Sequence, residues 1–332
     1  MTEQLRIGVI GTGLMGEIHA RNVYGHTAKA TLVAIADFDL ARAEALAGEL
    51  GAALAYQDGM ALLNDAEVDA VIVASPDDTH VEYALAAVKA GKPVLCEKPL
   101  ASEAADAYAV VRAEHEAGRR LVQVGFMREF DPAHIAVRDA VGSGLLGRPV
   151  IFKGTHINTA PPGPTTAKRC ITQSMIHDFH SARFLMGQEI VETYARWVPM
   201  WGGDESMARA VTVTVTFANG ATGLIDVGVE AVYGYEVSAE VLCEFGKAST
   251  ELPARAAIRS AGHLATDITP GWQDRFPEAY VIELNAWLES IRTGVPIGPG
   301  AWDGYAANAV AEAACRSVDS GRPEPVILEP RL

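Results

Sequence analysis

Cysteine is scarce in this chain of 332 residues, which has four, at positions 96, 170, 243 and 315. They lie far apart and form no Cys-x-x-Cys pair, so a disulfide framework or a zinc knuckle is excluded and a reducing cytoplasm is favoured. The sequence also lacks an apolar run near the roughly 20 residues that a membrane span needs. No basic segment followed by an apolar one opens the chain, so no signal peptide is visible. We therefore expect a cytoplasmic protein without a membrane segment.

Positive charge is also in deficit. Lys and Arg number 27 against 42 Asp and Glu, which gives a net charge of −15 at pH 7. Nucleic acid is excluded as a partner, because binding its phosphates needs clustered Lys and Arg. Apolar residues make up 49% and charged residues 21%, a composition that supports a large core and argues against disorder. The length exceeds one typical domain, and we expect two.

The first motif is a glycine-rich turn. Residues 5–16 read LRIGVIGTGLMG, in which a short apolar strand runs into three glycines and an amphipathic helix follows. Gly11 permits a tight turn, Gly13 lets a pyrophosphate approach the backbone, and Gly16 lets helix and strand pack closely. The free N–H groups of the helix N-terminus favour the negative pyrophosphate. The predicted cofactor contacts in this turn are Gly11, Thr12, Gly13, Leu14, Met15 and Gly16.

The next apolar strand, TLVAIAD, ends in Asp37. A carboxylate at this place accepts hydrogen bonds from the adenosine ribose hydroxyls and repels a 2′-phosphate. The pattern therefore predicts NAD as the cofactor in preference to NADP, although Arg42 lies close enough in the sequence to complicate that choice. The alternative for Asp37 is a solvated turn residue.

Strands and helices continue to alternate through the first third of the chain, with helices predicted at Leu40–Leu50 and His80–Ala90. This alternation predicts a doubly wound parallel sheet. Such sheets bind ligands at the carboxyl ends of their strands. Ser75 and Pro76 end one predicted strand, and Glu97 and Lys98 end another. We expect all four to line the cofactor crevice.

The rhythm changes beyond residue 126. The run AVTVTVTF alternates at period two, which is typical of a strand with one buried and one wet face. Short turns such as residues 218–220 indicate antiparallel strands. Residues 160–170, APPGPTTAKRC, are predicted to form a loop, and two helices near Arg275–Arg292 and Trp302–Val318 are predicted to close the chain. The predicted fold class is α/β, with a Rossmann domain over residues 1–125. Residues 126–332 form an α+β domain with an open, mostly antiparallel sheet.

Four runs resemble the glucose–fructose oxidoreductase, inositol dehydrogenase and MocA family. They are GTGLMGEIHA near the start, ASPDDTH at 74–80, CEKPL at 96–100 and VQVGFMREFDP at 122–132. The last, together with GPGAWDGY at 298–305, is most similar to the inositol dehydrogenase branch. The resemblance implies an NAD-dependent oxidoreductase that interconverts a secondary alcohol and a ketone on a cyclic polyol or sugar. It also implies that His80 contacts the cofactor, and that the open sheet packs against other subunits in a homotetramer or dimer.

The lysine of CEKPL is Lys98, and in the family this residue reaches both the nicotinamide ribose and the reacting hydroxyl. An alcohol that loses hydride also loses a proton, so a nearby ammonium stabilises the developing alkoxide. The resemblance therefore implies that Lys98 is catalytic. The alternative is a surface lysine paired with Glu97.

A predicted helix over residues 173–187 carries two histidines. At 100° per residue, Met175, Phe179, Ala182 and Met186 form an apolar stripe on it. On the opposite side, Gln173, His177, His180 and Phe184 lie within about 60° of one another. A solvated polar face is the alternative to a functional one.

The run IHDFHSARFL resembles the family's catalytic helix, whose usual pattern is Asp-x-x-x-His-Asp-x-Asp. His177 matches the histidine that acts as general acid and base, a task that suits an ordinary imidazole pKa near 6.5. The family's aspartates before and after that histidine are replaced by Gln173 and His180. Glutamine supplies no charge to the imidazole, so we expect a site retuned for another polyol or sugar, with His180 binding a hydroxyl or a carboxylate of the substrate.

The resemblance implies further substrate contacts, which are Met127, Arg128, His156, Asn158 and Tyr235. His156 and Asn158 are two residues apart and so share one face of a strand. Arg128 could instead pair with a neighbouring acid, and His156 could be a core histidine. A zinc site formed by Cys170, His177 and His180 is a further alternative, but we expect no metal.

An inositol-like cyclitol is the first expected substrate, and a pyranose or glycoside oxidised at a ring hydroxyl is the second. The alternative of another class is an NAD(H)-binding regulator without turnover. Gln173 motivates that alternative, whereas Lys98 and His177 oppose it.

Overall fold

A computed structural model describes residues 4–159, 165–250 and 257–332. Contacts divide the chain into two compact units. The first comprises Met1–Phe130, Glu278–Asn308 and Glu329–Leu332, and the second comprises Asp131–Pro277 and Ala309–Leu328. The domain boundary at residue 125 stays a prediction.

The first unit begins with alternating strands and helices. They are β1 (Leu5–Ile10), α1 (Leu14–Gly25), β2 (Ala30–Ala36), α2 (Leu40–Leu50), β3 (Leu54–Tyr56), α3 (Gly59–Asn64), β4 (Ala70–Val73), α4 (His80–Ala90), β5 (Val94–Cys96), α5 (Ala104–Glu116) and β6 (Val122–Val124). Within the described residues, these strands form one parallel sheet in the order β3-β2-β1-β4-β5-β6. The predicted doubly wound sheet is confirmed.

The strands are short and almost wholly apolar, because helices cover both faces of a parallel sheet. Ile7, Val9, Ile35 and Ile72 are fully buried in its core. Capping side chains fix where helices start: Asp39 accepts a hydrogen bond from the Ala41 N–H ahead of α2.

The second unit is built on a long-stranded sheet with a few helices. The elements are α6 (Pro132–Gly142), β7 (Pro149–Thr159), α7 (Ala167–Cys170), α8 (Ile176–Met186), β8 (Ile190–Pro199), β9 (Ala208–Phe217), β10 (Thr222–Ala231), β11 (Glu236–Cys243), β12 (Lys247–Ser249), β13 (Ala257–Ser260), β14 (His263–Thr266) and α9 (Trp272–Arg275). Two long helices and a short strand follow in the chain, α10 (Pro277–Thr293), α11 (Ala301–Ser320) and β15 (Glu324–Pro325). Apart from Pro277, α10 belongs to the first unit, as does α11 up to Asn308, whereas the rest of α11 and β15 belong to the second.

The sheet order is β12-β11-β7-β10-β9-β8-β15 across the described strands. Neighbouring strands run antiparallel except β7 and β10, which are parallel. The predicted mostly antiparallel sheet is confirmed. Along β9, buried Val211, Val213 and Val215 alternate with more exposed threonines, as its period-two pattern predicts.

Three element bounds differ from the sequence prediction. Ala167–Cys170 is helical, although it was predicted to lie in a loop whose first part, residues 160–164, is outside the described residues. The helix predicted from Gln173 begins at Ile176, after a π-helical turn at Ile171–Met175. The helix predicted from Arg275 is interrupted, because Pro277 lacks an N–H group and disfavours a helical residue before it.

No helix in the described part of the chain is long and apolar enough to span a membrane.

Candidate active site

The glycine-rich turn between β1 and α1 has the backbone that a dinucleotide site needs. Gly11 has φ +97°, a conformation that side chains other than glycine rarely adopt. A Cβ atom on Gly16 would overlap the Gly11 carbonyl oxygen, so glycine allows this close packing. A Cβ on Gly13 would meet no described atom within 4 Å. The backbone at Gly13 is therefore open to an approaching phosphate.

Asp37, at the end of β2, ties that turn to the sheet. Its carboxylate accepts hydrogen bonds from the Thr12 N–H at 2.8 Å, the Thr12 hydroxyl at 2.5 Å and the Asp39 N–H at 3.0 Å. Burial acts to raise the pKa of Asp37, but these bonds outweigh it and the pKa is lowered. Asp37 is 6% exposed, so it is not a solvated turn residue. It is anionic at neutral pH and also shapes the turn.

A pocket of about 510 Å³ opens beside Asp37 in the first unit. Gly11, Gly13, Asp37, Ser75 and Pro76 line it, as predicted for the cofactor crevice. The pocket also has lining residues that the sequence reasoning did not assign to the cofactor, which are Ile10, Ala36, Phe38, Arg42, Gln57, Asp58, Gly59, Ala74, Thr79 and Tyr83. Several of these directly follow strand ends, a position that could have identified them.

Other predicted cofactor residues lie around the pocket and do not line it. Leu14 is 55% exposed and Met15 is half-buried at the start of α1. His80 is buried, and its ring nitrogens lie 2.7 Å from the Pro99 carbonyl oxygen and 3.0 Å from that of Ser75. His80 thus fixes two loops at the strand ends to each other.

Lys98 follows β5 and is half-buried. Its backbone N–H donates to the Glu97 carboxylate at 3.2 Å, and the Lys98–Pro99 peptide bond is cis. Glu97 is 5% exposed and lies 2.8 Å from His19 Nε2. Burial acts to raise the pKa of Glu97, but the His19 hydrogen bond and charge and the Lys98 charge lower it. Glu97 is therefore part of a buried polar network with His19, which the sequence reasoning missed.

Two further predicted substrate residues lie in the first unit. Met127 and Arg128 belong to a 3₁₀ turn just after β6 and are 3% and 2% exposed. Arg128 is thus not a surface arginine.

In the second unit, α8 is buried on almost every side. All its residues except Phe184 are buried, including His177 at 8% and His180 at 2% exposure. The predicted apolar stripe is buried, but so is the opposite side, and the alternative of a solvated polar face is wrong. His180 stacks on Phe184, with ring centroids 6.3 Å apart and planes at 13°.

Gln173 precedes α8 and lies, half-buried, in the π-helical turn. Hydrogen bonds in a π turn join residues i and i+5, so a projection at 100° per residue does not continue through it. The predicted alignment of Gln173 with His177 and His180 does not follow from this backbone.

His156 on β7 pairs with Asp178, a residue that the sequence reasoning did not assign to the site. The His156 Nδ1 atom lies 2.9 Å from an Asp178 carboxylate oxygen. The Tyr235 hydroxyl lies 3.5 Å from His156 Nε2, and the two rings meet edge to face at 5.8 Å. The signal for Asp178 was its place beside His177 in the family's His-Asp pair. Asn158, two residues along β7, is half-buried.

A buried ion cluster lies at the two ends of the segment Asp131–Pro277 of the second unit. Asp131 accepts hydrogen bonds from Arg275 at 2.8 and 3.1 Å, and His134 Nδ1 lies 2.6 Å from the same carboxylate. Burial acts to raise the pKa of Asp131, but His134 and Arg275 hold it well below its ordinary value.

The donor set does not favour a metal. Among residues 4–159, 165–250 and 257–332, no group of three or more His, Cys, Asp or Glu side chains could hold one. Burial raises the pKa of the Cys170 thiol to about 12, and only the thiolate ligates zinc well. The zinc alternative therefore has no support from these residues.

Nearly the whole chain is similar to known proteins. Residues 5–126 match the oxidoreductase family model with an NAD-binding Rossmann fold, GFO/IDH/MocA, and residues 134–249 match the C-terminal domain model of that family. An inositol 2-dehydrogenase from Rubrobacter xylanophilus is 42% identical, over 99% of this chain and 95% of the relative. Inositol 2-dehydrogenase 1 from Saccharopolyspora erythraea is 41% identical, over 98% of this chain and 97% of the relative.

Among solved structures, the myo-inositol dehydrogenase from Lactobacillus casei in complex with NAD(H) and myo-inositol is similar, with a TM-score of 0.94 and 29% identity. The alignment covers 99% of this chain and 98% of that one. The family resemblance of the sequence motifs is thereby confirmed. The chain belongs to the GFO/IDH/MocA family, and it is an NAD-binding oxidoreductase that acts on a CH–OH group.

Proposed function

We propose that this protein is an NAD-dependent dehydrogenase that interconverts a secondary alcohol and a ketone on a cyclic polyol, with an inositol-like cyclitol as the first substrate. The observation that carries the proposal is full-length similarity to inositol 2-dehydrogenases, at 42% identity over 99% of the chain. The glycine-rich turn, open at Gly13, and the pocket beside Asp37 fit the diphosphate and ribose of NAD. When bound, NAD supplies the hydride acceptor.

Lys98 is proposed to stabilise the alkoxide that develops on the reacting oxygen. Its ammonium group stabilises an alkoxide most strongly where water is excluded. Its position directly after a strand of the core sheet limits its movement. The Glu97–His19 pair, at 2.8 Å, anchors the neighbouring residue.

His177 is proposed to take the hydroxyl proton during oxidation and to return it during reduction. Imidazole is the side chain that exchanges a proton most readily near neutral pH. The burial of His177 within α8 supports a fixed ring, since a buried side chain has few rotamers open to it.

Gln173 and His180 support a changed substrate preference within the same chemistry. Both replace aspartates of the family pattern, so the site carries less negative charge than that pattern predicts. Asp178 remains, paired with His156. We propose that Met127, Arg128, His156, Asn158 and Tyr235 contribute to the substrate site, and that a pyranose or glycoside is the second candidate substrate.

We also propose that the protein forms a homo-oligomer through the sheet of the second unit. Its proposed location is the cytoplasm. Leu224 and Leu242 pair with Lys153 and Ile151, which share one face of β7, and are 46% and 37% exposed. An exposed apolar sheet face of this kind favours a partner. Light scattering after gel filtration measures the mass, and a monomer would contradict this part of the proposal.

The function is tested by mixing protein, NAD and a panel of inositols, pyranoses and glycosides, and by following NADH formation at roughly 340 nm, its absorbance band. We expect turnover with at least one cyclitol and loss of turnover in Lys98→Met and His177→Ala. Tight NAD binding without turnover on any substrate would instead support a non-catalytic NAD(H)-binding regulator.

A further inference from the structure

The first unit has a second cavity at the edge of its sheet opposite the NAD pocket. The NAD pocket lies at the carboxyl ends of the strands, whereas this cavity lies where β5 and β6 begin. Its volume is about 540 Å³, within the range of small-molecule sites. Its lining consists of Pro93, Gly118, Arg119, Arg120, Leu121, Val122, Gln123, Trp287, Ser290, Ile291, Gly294, Pro296 and Ile297.

Two adjacent arginines give the cavity its charge. Arg119 donates to the Gly91 carbonyl oxygen at 2.6 Å, and Arg120 donates to the carbonyl oxygens of Val122 and Gly298. These bonds position the guanidinium groups without neutralising them. Neither arginine has an ion pair within 4.0 Å among the described residues. Each guanidinium has five N–H donors, so donors remain for a ligand.

Glu114 is an acid whose charge interacts with that of Arg120. Its carboxylate accepts hydrogen bonds from the backbone N–H groups of Leu121 and Val122 at 2.6 and 2.7 Å. Burial raises the pKa of Glu114 despite these bonds and the Arg120 charge. The hydrogen bonds of Glu114 therefore go to the backbone at the start of β6 and not to the donors of either arginine.

Gln123 supplies an independent sign of a ligand. It lines the cavity and is only 3% exposed, yet neither its amide oxygen nor its amide nitrogen has a hydrogen-bond partner among the described residues. A buried amide without partners is costly and rare in folded proteins. A ligand that offers both an acceptor and a donor would satisfy it.

Capping of helix ends explains only part of this arrangement. Gly91 ends α4, and the Arg119 bond to its carbonyl oxygen is an ordinary C-terminal cap. That role needs one arginine donor. It requires neither the second arginine nor the buried Gln123 amide. It also does not account for Ile297, which is 36% exposed, whereas Trp287 and Ile291 of the apolar wall also pack in the core of the unit.

We propose that this cavity is a second small-molecule site, which takes an oxyanion on a small carbon body. Arg119 and Arg120 bind the carboxylate or phosphate group, Gln123 reads a hydroxyl beside it, and the apolar wall contacts the carbon atoms. A planar guanidinium suits both oxyanions, because it can donate two parallel N–H bonds. The site is independent of the proposed dehydrogenase function.

Calorimetry with the NAD-saturated protein tests the site, because the bound cofactor fills the other phosphate-binding place. The probes are citrate and inorganic phosphate, with glycerol as the neutral control. We expect saturable binding of citrate or phosphate at one per chain and none of glycerol. The stronger probe identifies the preferred oxyanion.

Variants separate this site from unspecific charge effects. Arg120→Gln and Arg119→Gln should each weaken binding by roughly tenfold or more. Gln123→Leu should weaken binding while leaving the melting temperature of the ligand-free protein unchanged or higher, since it removes the unsatisfied amide. The matched control is Arg112→Gln, an exposed arginine on α5 outside the cavity.

If Arg120→Gln does not fold, Arg119→Gln decides the outcome. No saturable binding of either anion, or binding that Arg112→Gln weakens as much as the cavity variants do, would overturn the proposal.

Discussion

His156 Nδ1 lies 2.9 Å from the carboxylate of Asp178, and the two side chains are 5% and 3% exposed. A carboxylate accepts only, so Nδ1 is the donor and carries a hydrogen. In the neutral ring, Nε2 can then accept a hydrogen bond from the Tyr235 hydroxyl, which lies 3.5 Å away. Asp178 thus selects the tautomer of a residue that we propose to line the substrate site.

Asp178→Asn should lower kcat/KM for the substrate by about a hundredfold, because the His156 ring loses its fixed tautomer and orientation. The affinity for NAD should not change, since Asp178 lies in the second unit. Asp204→Asn, an exposed carboxylate of the same unit, is the control. Unchanged kinetics with a correctly folded Asp178→Asn protein would show that the pair has no part in the reaction.

Asp37→Ser should raise the KM for NAD and increase the NADP-to-NAD preference by roughly tenfold or more. The change removes a negative charge that repels the 2′-phosphate of NADP. Arg42 remains beside the turn, where its Nη2 donates to the Thr12 carbonyl oxygen at 2.6 Å, and can then bind that phosphate. The control is Asp39→Asn, which keeps the cap of α2 and should change neither the KM for NAD nor the NADP-to-NAD preference. Steady-state kinetics with both cofactors measure the effect, and an unaltered ratio in Asp37→Ser would contradict it.

Gln173→Asp should increase kcat/KM for myo-inositol by at least roughly tenfold, because it restores the carboxylate that the family pattern has four positions before the proposed acid/base. Thr172→Asp adds the same charge one position earlier and serves as control. If Gln173→Asp lowers activity on every substrate, or acts no differently from Thr172→Asp, Gln173 does not set the preference.

Asp131→Asn should cost about 3–5 kcal/mol of unfolding free energy at pH 7, since it leaves the buried Arg275 without its anion. The pKa of Asp131 is lowered in the folded protein, so its stabilisation is full above the ordinary carboxyl pKa near 4 and is lost as pH falls through the lowered value.

Urea unfolding of wild type and Asp131→Asn at pH 7 and at about pH 3 measures this dependence, and the difference between them should shrink at the lower pH. Asp139→Asn breaks the exposed pair with Arg138 and should cost no more than about 1 kcal/mol. Equal losses in Asp131→Asn and Asp139→Asn would show that the buried pair contributes little.

Local patterns predicted the first unit closely. The bounds of α2 and α4 were correct to the residue, because Asp39 caps one helix and left-handed glycines at 51 and 91 end both. The glycine-rich turn could be predicted for the same reason, because its conformation depends on residues within one short run.

Features that depend on contacts between residues far apart in the sequence could not be predicted. Asp131 and Arg275 are 144 positions apart, and His156 and Asp178 are 22 apart on different elements. The π turn before α8 has no apolar period that marks it, so Gln173 was projected onto the wrong helix geometry. The sequence could name His156 and Tyr235 by resemblance, but only the fold shows that Asp178 joins them.

Deuterium transfer tests the proposed function most directly. The protein is incubated with NAD and with myo- or scyllo-inositol that carries deuterium on its ring carbons, and the NADH is examined by mass spectrometry. One deuterium per NADH formed with wild type, and none formed with Lys98→Met that still binds NAD, is the expected result. Unlabelled NAD recovered from wild type with every cyclitol, despite tight cofactor binding, would contradict a cyclitol dehydrogenase.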